Sequence, residues 1–173
     1  SMRRFLALLA LLGFTLSLMV HFTALIGINA SKYVPWVWGL HLGMFIVFIP
    51  LIIASRMTLG PRPSLAQLRE HFPAWVLKLT AAIMAYAILN FILFAVATEG
   101  GGTSIKGEKY ILENHGQFIR ELTASEYEAF KANDLRGASG HWLVFYFTPF
   151  VGFMFFKSPK SSGKKSSRDV LGL

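Results

Sequence analysis

Four long apolar stretches, separated by connections that carry nearly all of the charge, set the pattern of the chain. A helix that spans a membrane needs roughly 20 mainly apolar residues. Four stretches reach this length or come close to it: residues 5–28, 34–54, 74–98 and 139–156. The pattern predicts an all-α integral membrane protein, built as a four-transmembrane-helix bundle.

The distribution of Lys, Arg and Trp predicts how these spans are oriented. Cytoplasmic loops are enriched in Lys and Arg, and Trp gathers at both membrane interfaces. Positive residues precede the first stretch, fill the connection between the second and third, and follow the fourth: Arg3, Arg4, Arg56, Arg62, Arg69 and the tail 157–173. Since these regions alternate along the chain, we expect both termini on the cytoplasmic side. Trp36, Trp38 and Trp142 then mark the outer interface, and Trp75 marks the inner one.

The first stretch has a competing interpretation as a cleaved signal peptide. Arg3 and Arg4 followed by an apolar run ending near residues 28–30 fit the start of such a signal. The run is longer than the usual hydrophobic region, and its small-residue cleavage site is imperfect. We therefore favour a permanent first span.

Composition agrees with a membrane protein. Of the 173 residues, 54% are hydrophobic and only 15% are charged, which is unusual for a soluble domain. Half of the net charge of +8 comes from the tail 157–173, which we expect to be disordered, to attract anionic lipid headgroups and not to bind nucleic acid. The absence of cysteine excludes thiolate ligands, and with the compact loops it favours a bacterial inner membrane.

The longest polar segment, residues 99–138, is predicted to form a small insert outside the cytoplasm. Residues 99–103 are expected to be a flexible exit from the third span. Two short runs around Asn114, His115 and Gly116 favour a β-hairpin over residues 109–122. A capping box formed by Thr123 and Glu126 predicts a helix that ends near Gly137.

Small residues in the spans predict where helices approach each other closely. Gly13, Ser17 and His21 recur every four residues and share one face of the first span. Gly39 and Gly43 form a GxxxG pattern on the second span. These residues indicate a tightly packed bundle.

Histidines form the sharpest chemical pattern. His21, His41 and His141 lie on three different spans at a similar depth below the outer face, and His115 lies above them in the hairpin turn. An ionisable residue inside a membrane is by default a candidate functional residue. Neutral imidazole binds zinc, copper and haem iron, so these residues are candidate metal or haem ligands. Asn90, Glu99 and Arg136 are candidate supporting polar groups at the same level.

Other features weigh against a metal site. The chain has no HExxH, no CxxCH and no pair of histidines four apart on one helix. A histidine near an interface also serves as a hydrogen-bonding partner for a neighbouring helix. No motif assigns a catalytic residue, so the sequence leaves open whether the protein is an enzyme.

Three classes of function follow. The first is an accessory or assembly protein whose insert binds a protein partner or a second copy, with Phe118, Tyr127 and Phe130 as the contact surface. The alternative is a redox or quinone-linked protein with histidine-ligated metal or haem, which requires His21 and His41 to face each other. The third, an oligomeric transporter or channel, is disfavoured because the spans contain no Asp, Glu or Arg.

Overall fold

A computed structural model describes residues 1–157 of the chain, and the structural findings below concern those residues. The predicted disorder of the tail falls almost entirely on residues 158–173, outside the described part. Five α-helices and three strands are formed: α1 (Met2–Leu25), α2 (Gly39–Leu59), α3 (Leu65–His71), α4 (Ala74–Ala97), β1 (Gly102–Lys106), β2 (Lys109–Asn114), β3 (Gln117–Leu122) and α5 (Ala124–Phe155). Two short 3₁₀ turns, Ala30–Lys32 and Pro35–Trp38, connect α1 to α2.

Three helices are long and apolar enough to cross a membrane. They cover Met2–Leu25, Pro35–Leu59 and Ala74–Ala97, within a few residues of the first three predicted spans. Large apolar side chains along them, such as Leu8, Phe22 and Leu42, are exposed. Exposed apolar residues in such number are expected where lipid is the solvent, so the chain is a membrane-embedded protein.

Helix α5 joins two elements that the sequence separates. The prediction of a helix ending near Gly137 is wrong, because α5 runs unbroken for 32 residues into the predicted fourth span, residues 139–156. Gly137 and Gly140 lie inside it, where a Cβ would meet the Phe94 ring and the Asn90 amide of α4 at 2.6 and 2.2 Å. The two glycines therefore permit close packing on α4, and they do not end the helix.

The same helix lies at the centre of the bundle. It packs against α1, α2 and α4, and its buried side chains include Leu135, Trp142, Tyr146 and Phe147. An apolar helix surrounded by other helices has few lipid-facing positions, so its sequence can carry Ser, Gly and His at the contacts. This explains why the last predicted span is short and less apolar than the others.

Small residues of α1 form its buried face, as predicted. Gly13, Ser17 and His21 are buried there, and the Tyr146 ring of α5 lies against Gly13. The Tyr146 hydroxyl also approaches Gly43, whereas the space around Gly39 is open. The GxxxG pattern of α2 therefore contributes one close contact, not two.

The insert contains an antiparallel sheet with strand order β1-β2-β3. The predicted hairpin is confirmed: His115 and Gly116 have φ values of 48° and 82° and form a two-residue turn between β2 and β3. The expectation of a flexible exit is wrong in part, because β1 begins at Gly102 and pairs Thr103 with Leu112. The sequence of β1 lacks apolar alternation, so pairing with β2 is what makes it a strand.

Capping residues fix the starts of two helices. The predicted capping box of Thr123 and Glu126 is present at the start of α5. A second box, between Ser64 and Gln67, starts the short helix α3, which the sequence analysis missed. Helix α3 covers the end of the bundle opposite the sheet.

Candidate functional site

A buried polar network connects α1, α4 and α5 at the level of the predicted histidine site. His21 and Asn90 are each only 2% exposed, and Ser139 is fully buried. The His21 ring lies with Nδ1 2.8 Å from the Ser139 hydroxyl and with Nε2 2.5 Å from the Tyr86 hydroxyl. Both ring nitrogens of His21 therefore have partners on neighbouring helices.

The Ser139 hydroxyl has two acceptors within reach. The Arg136 carbonyl, one turn back in its own helix, lies 3.3 Å from it, and Nδ1 of His21 lies 2.8 Å from it. When the hydroxyl donates to the carbonyl, it accepts from Nδ1–H of His21, and Nε2 then accepts from the Tyr86 hydroxyl. The tautomer of His21 therefore sets the direction of both of its hydrogen bonds.

Arg136 and Asn90 extend the network toward the sheet. The Asn90 amide donates to the Arg136 carbonyl at 3.0 Å, and the Arg136 guanidinium donates to the Asn90 amide oxygen at 3.2 Å. This reciprocal pair is made possible by Gly140, because any side chain there would collide with Asn90. The structure thus brings three sequence candidates together, namely His21, Asn90 and Arg136.

The remaining histidines lie apart from His21. His41 is exposed and accepts at Nδ1 from the Trp142 indole at 3.1 Å. His141 donates from Nδ1 to the carbonyl oxygen of Gly137 in its own helix at 2.8 Å and meets the Phe91 ring edge-on. His115 is exposed in the hairpin turn.

The rings of His21, His41 and His141 do not converge on one site. Within residues 1–157, no group of three or more His, Asp or Glu side chains is arranged to hold a metal ion. His21 is an interior residue and His41 faces outward, so the two do not face each other as the alternative function requires. Rotation about the helix axes, which a count of residues along the chain does not fix, separates the rings. Binding of zinc, copper or haem iron by these residues stays an untested prediction.

Glu99 takes part in an ion-pair cluster on the insert. The Arg120 guanidinium on β3 lies 3.1 Å from the Glu99 carboxylate and 2.8 Å from that of Glu126 on α5. These two carboxylates raise the pKa of Arg120. The backbone N–H of Thr123, together with Arg120, holds the pKa of Glu126 below its usual 4.5. The cluster attaches the sheet to the start of α5.

The three residues expected to form one partner surface lie in different surroundings. Phe118 on β3 is 64% exposed. Tyr127 is half-buried and stacks on Tyr110 of β2, with ring centroids 4.5 Å apart, and Phe130 is half-buried beneath the Arg120 guanidinium. Tyr127 and Phe130 therefore pack between α5 and the sheet, and of the three residues Phe118 is the one with a largely exposed side chain.

A second contact at the outer end joins the α1–α2 connection to α5. The Asn29 side chain donates to the Glu128 carboxylate at 2.9 Å, and the Lys32 ammonium lies 3.4 Å from it. The hydrogen bond from Asn29 lowers the pKa of Glu128, and the Lys32 ammonium lowers it further. Burial raises the pKa of Asp134 nearby, and Lys131 partly opposes this rise.

Arg3, which the sequence analysis treated only as a topology signal, and His71 close the end of the bundle opposite the sheet. Arg3 donates to the last carbonyl groups of α5, at Phe153 and Phe156, and so caps that helix. His71 is buried, stacks on Phe156, and exchanges two hydrogen bonds of 2.8 Å with the backbone of Lys157. Neither role had a local sequence signal, since both partners are distant in the chain.

A cavity of about 820 Å³ lies near this end, between α2 and α4. Helices α2 and α4 pack chiefly on α5 and not on each other. Apolar side chains such as Leu51, Val76 and Val151 line the cavity, and among residues 1–157 the charged residues of its lining are Arg3 and Arg56. A cavity of this size falls in the range that holds small organic ligands.

The chain was compared with protein-family models, curated proteins and solved structures. No family model, no curated protein and no solved structure matches the chain.

Proposed function

We propose that the protein is a membrane accessory or assembly protein that presents its three-stranded sheet to a protein partner outside the cytoplasm. In this proposal the chain spans the membrane four times, with α5 as the fourth span and both termini in the cytoplasm. A location in a bacterial inner membrane is part of the proposal and rests on the sequence alone.

The length and charge of α5 support the fourth span. Its 32 residues extend about 48 Å at 1.5 Å per residue, whereas the hydrocarbon core of a bilayer is about 30 Å thick. All of its charged residues lie between Glu126 and Arg136, and the following residues to Phe155 carry none. The uncharged part fits the membrane, and the charged part then projects into water together with the sheet.

One observation carries the proposed partner binding. The sheet is fastened by Tyr110 on Tyr127 and by Arg120 on Glu126 to the helix that forms the centre of the bundle. A rigidly held sheet is a suitable platform for recognition, because little conformational entropy is lost when a partner binds. Phe118, which is 64% exposed on this sheet, offers apolar contact area.

Site-specific photo-crosslinking in cells tests this proposal. A benzophenone amino acid replaces Phe118 in one variant and Glu108, an exposed residue of the β1–β2 turn, in a matched control. We expect a discrete adduct with one partner from position 118 and a much weaker adduct from position 108. The absence of an adduct at 118, or the same set of adducts at both positions, would contradict the proposal.

A further inference from the structure

The cavity between α2 and α4 has a size and position that match one half of a bilayer. Along α2 its lining runs from Phe48 to Leu59, which is about 16 Å at 1.5 Å per residue. Half of the hydrocarbon core is about 15 Å thick. With α2 crossing the bilayer as proposed above, the cavity extends from one membrane interface to about the centre of the bilayer, on the side away from the sheet.

The walls of the cavity are suited to a hydrocarbon chain. The deep part is formed by Phe48, Leu51 and Val151, together with the backbone of Gly152. Leu68 of α3 and Phe72 close the end at the interface. Along α2, Ile52 and Ala54 are exposed, so the cavity is open to the surrounding lipid.

The charges of the cavity are all positive and lie at its interfacial end. Arg3 caps the last turn of α5. Arg56 is exposed, and no carboxylate of residues 1–157 lies within salt-bridge distance of it. An arginine in this position can bind a phosphate group with two parallel hydrogen bonds.

We propose that this cavity holds an acyl chain of an anionic phospholipid from the leaflet away from the sheet, with Arg56 binding the headgroup phosphate. The lipid fills the space that separates α2 from α4. It thereby becomes a specific partner of the folded protein and completes the bundle on that side.

Charge complementarity favours this lipid over the other candidate occupants. The C-terminal tail carries Lys160, Lys164, Lys165 and Arg168, which the positive end of the cavity repels. A zwitterionic lipid has the same chains but lacks the net negative charge that two arginines attract.

Native mass spectrometry of the full chain tests the proposal. Delipidated protein is titrated with dioleoylphosphatidylglycerol or with dioleoylphosphatidylcholine, and the retained lipid is counted. We expect the wild type to retain one phosphatidylglycerol at least tenfold more tightly than phosphatidylcholine. Arg56→Ala should lose most of this preference, whereas Arg62→Ala, in the connection that follows α2 and outside the cavity, should bind as the wild type does.

A second pair of variants tests the acyl chain without changing charge. Ala54→Trp fills the cavity, and Ile53→Trp places the same side chain next to it on α2 without lining the cavity. We expect Ala54→Trp to abolish lipid retention and Ile53→Trp to preserve it, with unchanged helix content by circular dichroism. If Arg56→Ala does not fold, the comparison of Ala54→Trp with Ile53→Trp still tests whether the cavity holds the lipid.

Several results would overturn the proposal. Equal retention of the two lipids, equal behaviour of Arg56→Ala and Arg62→Ala, or lipid retention in Ala54→Trp would each exclude the site. A disulfide between Ala54→Cys and Ser162→Cys in the otherwise cysteine-free chain would assign the cavity to the tail. A dimer that carries no bound lipid would show that a second copy of the chain occupies the cavity.

Discussion

The imidazole of His21 on α1 lies 2.8 Å from the hydroxyl of Ser139 on α5, although 118 positions separate the two residues in the chain. The other ring nitrogen lies 2.5 Å from the Tyr86 hydroxyl on α4. One side chain thus connects three helices in the middle of an apolar bundle. Hydrogen bonds between helices take over part of the role that hydrophobic burial has in water, since lipid is as apolar as the core.

Removing the His21 ring should therefore destabilise the bundle. His21→Ala leaves the Ser139 and Tyr86 hydroxyls without their interhelical partner, and we expect a loss of about 1–2 kcal/mol in the free energy of unfolding. Unfolding with denaturing detergent, followed by circular dichroism, measures this loss. Thr15→Ala is the control, because Thr15 is exposed and bonds only to the Leu11 carbonyl of its own helix.

A double-mutant cycle isolates the contact between His21 and Ser139. We compare His21→Ala, Ser139→Ala and the double variant, and we expect a coupling energy of about 0.6–1.7 kcal/mol for a bond of this kind in a membrane. Strict additivity of the two single effects would show that the hydrogen bond contributes nothing to stability.

Gly13, the one glycine of α1, should tolerate a side chain poorly. A Cβ there would lie 2.2 Å from the Tyr146 ring, so Gly13→Ala requires the ring or the helix to shift. We expect a cost of about 1–3 kcal/mol, as in other overpacked contacts. Gly39→Ala is the matched control, since nothing lies within 4 Å of that position. Similar unfolding curves for the two variants would contradict the close α1–α5 packing.

Acid should weaken the attachment of the sheet to α5. The pKa of Glu126 is lower in the folded protein than the usual 4.5. Its contribution to stability is therefore fully present above pH 4.5 and is lost as the pH falls through the folded pKa. Carbon-13 NMR of the Glu126 carboxyl group should give a midpoint below 4.5.

The same titration in a variant identifies the cause. Arg120→Gln should move the Glu126 midpoint up toward 4.5, because the nearest guanidinium is removed. Lys106→Gln removes a cation that pairs with Glu113 and should leave the Glu126 midpoint unchanged. An unchanged midpoint in Arg120→Gln would assign the whole pKa shift to the capping hydrogen bond from Thr123.

Single cysteines test the proposed topology, because the chain contains none of its own. We expect a membrane-impermeant maleimide to label Glu108→Cys in intact cells from which the outer membrane has been removed. Arg62→Cys and Leu173→Cys should react only after the membrane is permeabilised. Labelling of Leu173→Cys from the same side as Glu108→Cys would show that α5 does not cross the membrane.

The sequence by itself determined the elements whose signals are local. Runs of apolar residues predicted the bounds of α1 and α4 within three residues and those of α2 within five, because a membrane span is recognised from length and composition. The two-residue turn at His115 and Gly116 and the capping box of Thr123 and Glu126 also depend on neighbouring residues only. The small-residue face of α1 followed from helical periodicity.

Only the tertiary structure decided how these elements meet. Gly137 was taken for a helix end, because a glycine that ends a helix and one that admits the Phe94 ring have the same local sequence. The depth of His21 and His41 could be counted from the sequence, but their rotation could not. An error of one position turns a helical residue by about 100°, which separates an interior side chain from one that faces lipid. The partners of His21, the cap that Arg3 gives to α5 and the cavity beside Arg56 each depend on residues far apart in the chain.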